Sequence, residues 1–339
     1  MAKTSLAVKY RPKTFDDLTE QGAIKVILEE QIKTKTFQHA YLFTGPAGTG
    51  KTTSARIFAD MINQGKGNPI EVDAASNSGV DNIRSIIDDS KKKALDAEYK
   101  IYIIDECHSL SSGAWQAMLK LLEEPPRFSI FILCTTDPQK IPATIMSRVQ
   151  RYQFNKISNK GIENRLWDIM VKEGLQVDVA LEALSYIAKI ANGGMRDAIT
   201  MMDKCLSLSN QLTLSNVLEA IGSEDYSTFF DLTKRLLKKD NSCISIIEKV
   251  YSDGKDIKQF MKEFLKFLLD CTKYYIFNTM DYLTLPDTTE IESELKAISD
   301  KNIFMLLDLI QDINNQVKYD SDPKTLVQTG LVLYCSKEV

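Results

Sequence analysis

The sequence has no run of about eighteen consecutive apolar residues, and residues 1–5 lead into no apolar signal-peptide core. It also has no excess of positive charge, because 42 lysines and arginines stand against 46 aspartates and glutamates and leave a net charge of -4. These absences argue against a membrane-spanning, secreted or uniformly DNA-coating protein. We therefore expect a cytoplasmic protein without membrane partners, whose basic residues act in local patches.

Closely spaced cysteine pairs are also missing. The six cysteines are scattered and form no C-x-x-C motif, so the sequence predicts neither a zinc module nor a disulfide framework. Isolated cysteines of this kind are mostly small buried hydrophobic residues. They are Cys107, Cys134, Cys205, Cys243, Cys271 and Cys335.

The strongest positive signal is a glycine-rich segment that reads G-x-x-x-x-G-K-T. It follows the apolar residues 41–43 and precedes residues 54–59, which have a helix-forming composition. Such a loop turns its backbone N–H groups inward, and the next helix adds its positive N-terminus, so the segment predicts a nucleoside triphosphate site. Lys51 is expected to reach the β and γ phosphates, and the Thr52 hydroxyl to bind Mg²⁺. The predicted loop residues are Gly45, Pro46, Ala47, Gly48, Thr49, Gly50, Lys51, Thr52 and Thr53.

A second element of the same site is the apolar run of residues 99–104, which ends in Asp105 and Glu106. A run that is apolar on both faces is typical of a central strand of a parallel sheet, and ligands bind at the carboxyl end of such strands. We expect Asp105 to order Mg²⁺ through water and Glu106 to polarise the attacking water.

Strand and helix patterns alternate up to about residue 155, which predicts an α/β domain with a parallel, doubly wound sheet. Beyond that point the patterns are helical, with a break at Asn192–Gly194. An apolar stripe at three-and-four spacing fits either a helical partner surface or an ordinary helical core. Its residues are Ile257, Phe260, Met261, Phe264, Leu265 and Leu268. Predicted elements are helices 24–32, 80–95, 112–124 and 142–147 and strands 69–74, 99–106, 128–134 and 152–154.

Several short strings resemble the ATP-binding gamma/tau subunits of bacterial DNA polymerase III clamp loaders, which are AAA+ proteins. The resemblance is dense to about residue 200 and rests on a helical pattern beyond it. The matching strings are Tyr10-Arg11-Pro12, residues 39–43, Val72-Asp73-Ala74-Ala75-Ser76, residues 121–126, residues 135–140, Ser147-Arg148 and residues 194–198.

The resemblance implies an AAA+ ATP-binding core over residues 1–156, a small helical lid over 157–222 and an all-helical oligomerisation collar over 223–339. It implies that Thr136 senses the γ-phosphate and that Arg196 is a lid arginine contacting the nucleotide of its own subunit. Arg148 resembles the arginine finger that completes a neighbouring subunit's site. The N-terminal residues that would bind the nucleotide are Tyr10, Arg11 and Pro12.

The function implied is ATP-dependent loading of a sliding clamp onto primer-template DNA, with ATP and Mg²⁺ as ligands. The partners implied are the clamp, the DNA and the other subunits of a pentameric loader, in a bacterial cytoplasm or a phage-infected host. Arg84 and Lys140 stand where DNA phosphates would be held, although isolated basic residues are usually only solvated. Trp115 and Met118 stand on the helix that would face the clamp, with core packing as the alternative.

The chain departs from the family pattern in four respects. The four-cysteine zinc module between residues 60 and 71 is absent, so no zinc is expected. Val149 replaces the usual cysteine after the finger arginine, and Asn77 and Gly79 stand where basic residues often help to hold DNA. The sequence ends at Val339 without a tau-type extension, from which we expect a compact, divergent and phage- or mobile-element-encoded loader.

Three other functions are compatible with parts of the sequence. Residues 105–108 spell the D-E-C-H box of a nucleic-acid helicase, but a helicase needs a second α/β domain, which the helical second half does not predict. Another AAA+ ATPase that remodels DNA and a loader subunit that has lost hydrolysis are the other two. Intact Lys51, Asp105 and Glu106 argue against the last of these.

Overall fold

The computed structural model describes residues 4–176, 180–209, 211–221 and 226–336. The chain divides into two compact units, one formed by Met1–Leu175 with Ala191–Asp203 and the other by Gln176–Ile190 with Lys204–Val339. The predicted boundary between residues 222 and 223 lies outside the described residues. The division into core, lid and collar stays a prediction.

The first unit is built on a five-stranded sheet in the order β2-β3-β4-β1-β5. Every pairing is parallel, with Phe43 opposite Cys134 and Ile103 opposite Ile132, so all strands end at the same edge. This confirms the predicted parallel sheet. The strands are β1 Ala40–Thr44, β2 Ile70–Asp73, β3 Lys100–Asp105, β4 Ser129–Thr135 and β5 Gln150–Gln153.

Helices cover both faces of the sheet, which confirms the doubly wound arrangement. Residues of β1 and β4 are buried throughout, because alternate side chains enter opposite cores. Phe43 packs with Phe58 on one face, and Leu42 packs with Phe131 on the other. The helices of this unit are α1 Leu6–Lys9, α2 Gly22–Thr34, α3 Lys51–Ile62, α4 Val80–Ser90, α5 Ser112–Glu123, α6 Ala143–Met146 and α7 Asn159–Lys172.

One predicted helix is too long. The α4 helix ends at Ser90, whereas its sequence pattern continued to residue 95. Its last carbonyl groups are taken by side chains from the sheet, since Ser129 Oγ donates to the Ser90 carbonyl at 2.7 Å and Lys100 Nζ to the Asp89 carbonyl at 3.0 Å. These contacts replace the hydrogen bonds that a further helical turn would make.

All described elements of the second unit are helices. The helix Met195–Leu208 is divided between the units, because its residues up to Asp203 belong to the first unit. Phe260 and Phe264 pack with Phe229 and Phe267 in an aromatic core. The apolar stripe of α13 is therefore a helical core, the second of the two predicted interpretations. The helices are α8 Leu181–Ile190, α9 Met195–Leu208, α10 Leu214–Ile221, α11 Tyr226–Leu237, α12 Cys243–Ser252, α13 Ile257–Phe277, α14 Thr289–Ala297, α15 Ile303–Val317 and α16 Pro323–Ser336.

None of the helices in the described ranges is both long enough and apolar enough to cross a membrane.

Candidate nucleotide-binding site

The glycine-rich loop connects β1 to α3 at the carboxyl edge of the sheet. Gly45, Gly48 and Gly50 have φ angles of 141°, 72° and 101°, a region that residues with a side chain rarely adopt. The loop is also closely packed, because a Cβ on Gly45 would lie 2.3 Å from the Phe154 carbonyl oxygen. This backbone therefore favours glycine at all three of these positions.

We predict that Gly45→Ala destabilises the first unit by about 2–4 kcal/mol, because it combines backbone strain with overpacking. The matched control is Gly22→Ala at the start of α2, where a Cβ would meet nothing within 4 Å and φ is not positive. That variant is expected to be neutral or slightly more stable. Urea denaturation of both variants measures the difference, and equal stabilities would contradict the strained geometry of the loop.

Lys51 is 5% exposed, and its Nζ donates to the carbonyl oxygens of Gly45 and Pro46 at 2.8 Å each. Burial lowers its pKa, while the nearby groups of Cys134, Glu106 and Asp105 oppose that change. A buried ammonium that is surrounded by a positive-φ glycine loop at a helix N-terminus fits a polyphosphate ligand.

The magnesium ligands predicted from the sequence lie side by side. Thr52 Oγ1 donates to Asp105 Oδ2 at 2.8 Å, and Asp105 Oδ1 accepts from the Glu106 backbone N–H at 3.0 Å. A hydroxyl and a carboxylate are the hard oxygen donors that Mg²⁺ prefers. The donor set therefore fits the ion.

The carboxylate of Glu106 has two polar side-chain partners, and one of them contacts a third polar residue. Thr136 Oγ1 donates to Glu106 Oε2 at 2.9 Å, and His108 Nδ1 lies 3.2 Å from the same oxygen. The same His108 nitrogen lies 3.1 Å from Thr135 Oγ1. Glu106 has a left-handed backbone, with φ 46°, which turns the chain sharply after β3. Thr136 and Glu106 were both predicted site residues, whereas sequence reasoning assigned no role to His108 or Thr135.

These elements surround a cavity of about 380 Å³, which is in the size range of small-molecule sites. Its wall also includes the start of α9, where the Met195 N–H donates to the Gly48 carbonyl at 3.0 Å. The structure thus brings together predicted residues that are far apart in the sequence. Those that line the cavity are residues 10–12, residues 47–53, Asp105, Glu106 and Arg196.

The N-terminal arm is fixed beside this cavity by contacts with α7 and with Glu173, the residue that follows it. Tyr10 donates its hydroxyl hydrogen to Glu173, and Arg165 Nη2 donates to the Tyr10 carbonyl at 3.1 Å. Burial lowers the pKa of Arg11, and the charges of Arg56 and Arg196 lower it further. Arg165 and Arg56 also line the cavity, although neither belongs to a motif from which the sequence predicts a site.

Arg148 does not line the cavity. It follows α6, where its Nη1 donates to the Thr144 carbonyl at 2.8 Å and its Nη2 pairs with Glu123 Oε1 at 2.8 Å. Its side chain is 36% exposed, so it is accessible to another molecule. A role in the site of its own chain is unsupported, and the finger assignment stays a prediction.

The residues predicted to contact macromolecular partners differ in exposure. Arg84 and Lys140 are exposed and pair with Asp81 and Asp137 on their own segments. Met118 is fully buried, and Trp115 is 6% exposed. The core-packing alternative therefore describes these two side chains, and a clamp contact by them stays a prediction that their burial does not support.

Comparison with protein families gives two matches, which are adjacent in the sequence. Residues 68–158 match the family described as DNA polymerase III, delta subunit. Residues 161–211 match the ATPase lid domain of the DNA polymerase III clamp loader subunit.

Similar proteins include bacterial DNA polymerase III subunits. The chain is 34% identical to subunit gamma of Buchnera aphidicola subsp. Schizaphis graminum, over 88% of this chain and 87% of that protein. It is also 34% identical to subunit tau of Bacillus subtilis, over 99% of this chain and 64% of that protein. The match to subunit tau/gamma of Haemophilus influenzae is 35% identical and covers 34% of that protein, so the chain spans only part of these longer relatives.

Solved structures with the same fold include RuvB of Thermotoga maritima, a Holliday junction branch migration motor. The similarity has a TM-score of 0.53 at 18% identity and covers 67% of this chain and 79% of RuvB. At this identity the comparison shows the fold alone.

Proposed function

The chain belongs to the gamma/tau family of DNA polymerase III, whose members are AAA+ ATPase subunits of clamp loaders, and we propose on that premise that it hydrolyses ATP to load a sliding clamp onto primer-template DNA. Clamp loading rests on this family membership, and the observation that carries the ATPase part of the proposal is the convergence of Lys51, Thr52 and Asp105 at one edge of the sheet, with Glu106 beside them. This arrangement binds and hydrolyses a nucleoside triphosphate rather than reading a nucleic-acid sequence.

Each residue of this site has a separate task in the proposed reaction. Lys51 neutralises the β and γ phosphates, and the loop N–H groups orient them. Glu106 accepts a hydrogen bond from the attacking water and raises its nucleophilicity. The Thr136 hydroxyl donates to Glu106 and fixes its orientation. It has one hydrogen, so it would give up this bond when it donates to a γ-phosphate oxygen.

Thr52 and Asp105 would hold Mg²⁺. The ion supplies a positive charge that stabilises the negative charge developing on the leaving phosphate oxygens.

Two further parts of the proposal concern neighbouring molecules. Arg148 would complete the site of an adjacent subunit, which is compatible with its exposure and with its position outside the cavity of its own chain. Arg84 and Lys140 would contact DNA phosphates, without sequence readout. The pentameric assembly, the clamp and the other loader subunits are the partners that this function requires. ATP bound between subunits would favour a state that holds the open clamp, and hydrolysis would release it.

We predict that ATPase activity of the assembled protein rises when primer-template DNA and the cognate sliding clamp are present together, and rises less with either one alone. The two partners bind the same assembled state, so each favours the binding of the other. Release of phosphate, measured with neither, one or both partners, tests this. An activity that is indifferent to the clamp would overturn the loading function while leaving the ATPase intact.

An unwinding assay separates this proposal from the helicase interpretation of residues 105–108. Within the described residues the second unit contains helices alone, so it supplies no second α/β domain of the helicase type. We expect no strand separation on a tailed duplex. ATP-dependent unwinding by the purified chain would favour the helicase instead.

A further inference from the structure

Arg56 is a cavity residue with an incomplete set of hydrogen bonds. It lies on α3, one helical turn after Thr52 and Thr53, and its side chain lines the same cavity as Arg11 and Arg196. Its Nη2 pairs with Glu71 on β2, but its Nε–H is buried and has no hydrogen-bond partner among the described residues. Buried donors are nearly always paired in folded proteins, so this N–H points to an acceptor that the chain itself does not provide.

The guanidinium group of Arg11 lies close enough to those of Arg56 and Arg196 to be affected by both charges. The pKa of Arg11 is lowered first by burial and then by the charges of Arg56 and Arg196, while Glu71 opposes them. Within the ranges that the structure describes, neither Arg11 nor Arg196 forms an ion pair with a carboxylate. Mutual repulsion of this kind is relieved by an anion that lies among the three groups.

We propose that Arg56 binds the phosphate oxygens of the nucleotide and that Glu71 competes with them for its guanidinium. The inference rests on the proposed nucleotide binding and adds a residue and a regulator of affinity to that site. When a phosphate group replaces Glu71 as the partner, the Arg56 guanidinium keeps a charged acceptor, and its Nε–H gains a hydrogen-bond acceptor. A planar guanidinium suits this exchange, because it presents Nε–H and Nη–H as two parallel donors to carboxylate or phosphate.

The alternative is that Arg56 and Glu71 form an ordinary surface ion pair. Their side chains are 38% and 36% exposed, and pairs of this exposure contribute little to stability. If so, substitutions of Arg56 and Glu71 would leave the ligand affinity unchanged. If they loosened the fold instead, both would weaken ligand binding. Competition instead requires opposite directions, so the sign of each effect decides between the two explanations.

The test measures the Kd of the magnesium complex of a non-hydrolysable ATP analogue by calorimetry. Arg56→Gln is expected to raise the Kd about 10-fold, because a charge-assisted hydrogen bond to phosphate is lost. Glu71→Gln is expected to lower it about 3-fold, because the competing carboxylate is neutralised. In the double variant the Glu71 substitution should have no effect of its own, so the Kd equals that of Arg56→Gln. Arg56→Lys, which keeps the charge but not the parallel donors, should lie between wild type and Arg56→Gln.

Tripolyphosphate tests whether the contact is to phosphate. It contains neither sugar nor base, and its competition with the analogue should weaken in Arg56→Gln by the same factor as binding of the analogue itself. A loss for the analogue without a loss for tripolyphosphate would overturn the phosphate assignment.

Matched controls are available in the exposed ion pair of Lys91 with Asp88, which lies outside the cavity and has no assigned role. Lys91→Gln and Asp88→Asn change the charge by the same amounts and should leave the Kd unchanged. Thermal unfolding without ligand shows whether Arg56→Gln is folded, and Glu71→Gln gives an independent result if it is not. The proposal fails if wild type binds the analogue and Glu71→Gln does not tighten it, or if Arg56→Gln binds equally well. Absence of binding by the wild type would overturn the proposed function as well.

Discussion

Glu106→Gln is expected to bind ATP with nearly wild-type affinity and to hydrolyse it at least about 100-fold more slowly. The amide keeps the size of the side chain and still accepts the hydrogen bond from Thr136 Oγ1, which is 2.9 Å from Glu106 Oε2. It is a much weaker proton acceptor than a carboxylate, and removal of a general base typically lowers rates about 10²–10⁴-fold. Single-turnover hydrolysis together with equilibrium nucleotide binding separates the two effects.

Two further variants make this prediction specific. Glu98→Gln removes an exposed carboxylate elsewhere on the same unit and should leave the rate unchanged. Thr136→Val removes the hydroxyl that orients Glu106, so it should also slow hydrolysis, but by less than Glu106→Gln. A Glu106→Gln protein that turns over ATP at the wild-type rate in the assembled state would show that another group activates the water.

The architecture of the first unit was predictable because its signals are local. Each buried strand is a short apolar run, and each connection carries a turn or cap residue, so the alternation of β and α elements is legible along the chain. The end of α4 was not predictable, because the side chains that contact it, Ser129 on β4 and Lys100 on β3, come from later parts of the sequence. Contacts between distant segments leave no periodic signal near the helix that they terminate.

The same distinction holds for the site. Lys51, Thr52 and Asp105 were found because their spacing reflects a loop and a strand end, which are local structures. Arg56 was missed because it occupies an ordinary helix position, and only the folded chain places it at the cavity. His108 was missed as a site residue because it lies in a short turn, and only the folded chain places it beside Glu106. Trp115 shows the converse. The family resemblance places it on a clamp-facing helix, with core packing as the alternative, and the fold buries its side chain.

Arg148→Ala is expected to leave nucleotide binding unchanged and to lower ATP turnover of the assembly about 10³-fold, the lower end of what arginine fingers contribute. The guanidinium lies outside the cavity of its own chain, so its loss should not disturb ligand contacts there. Its pairing with Glu123 holds it on the surface in a fixed position. Glu123→Gln, which weakens that pairing but keeps the arginine, should therefore lower turnover only modestly. Calorimetry measures the binding, and phosphate release by the assembled protein measures the turnover.

Mixing two inactive variants tests whether the finger acts between chains. Lys51→Ala removes the phosphate-binding lysine, so that chain should bind no nucleotide, but it retains Arg148. An interface in which Lys51→Ala supplies its arginine to the site of Arg148→Ala contains one complete set of groups. Mixed assemblies should therefore regain ATPase activity that neither variant has alone, whereas a finger acting within its own chain would give no recovery. Normal turnover by assembled Arg148→Ala alone would exclude the finger role, because it would show that this arginine is not needed to neutralise the transferring phosphate.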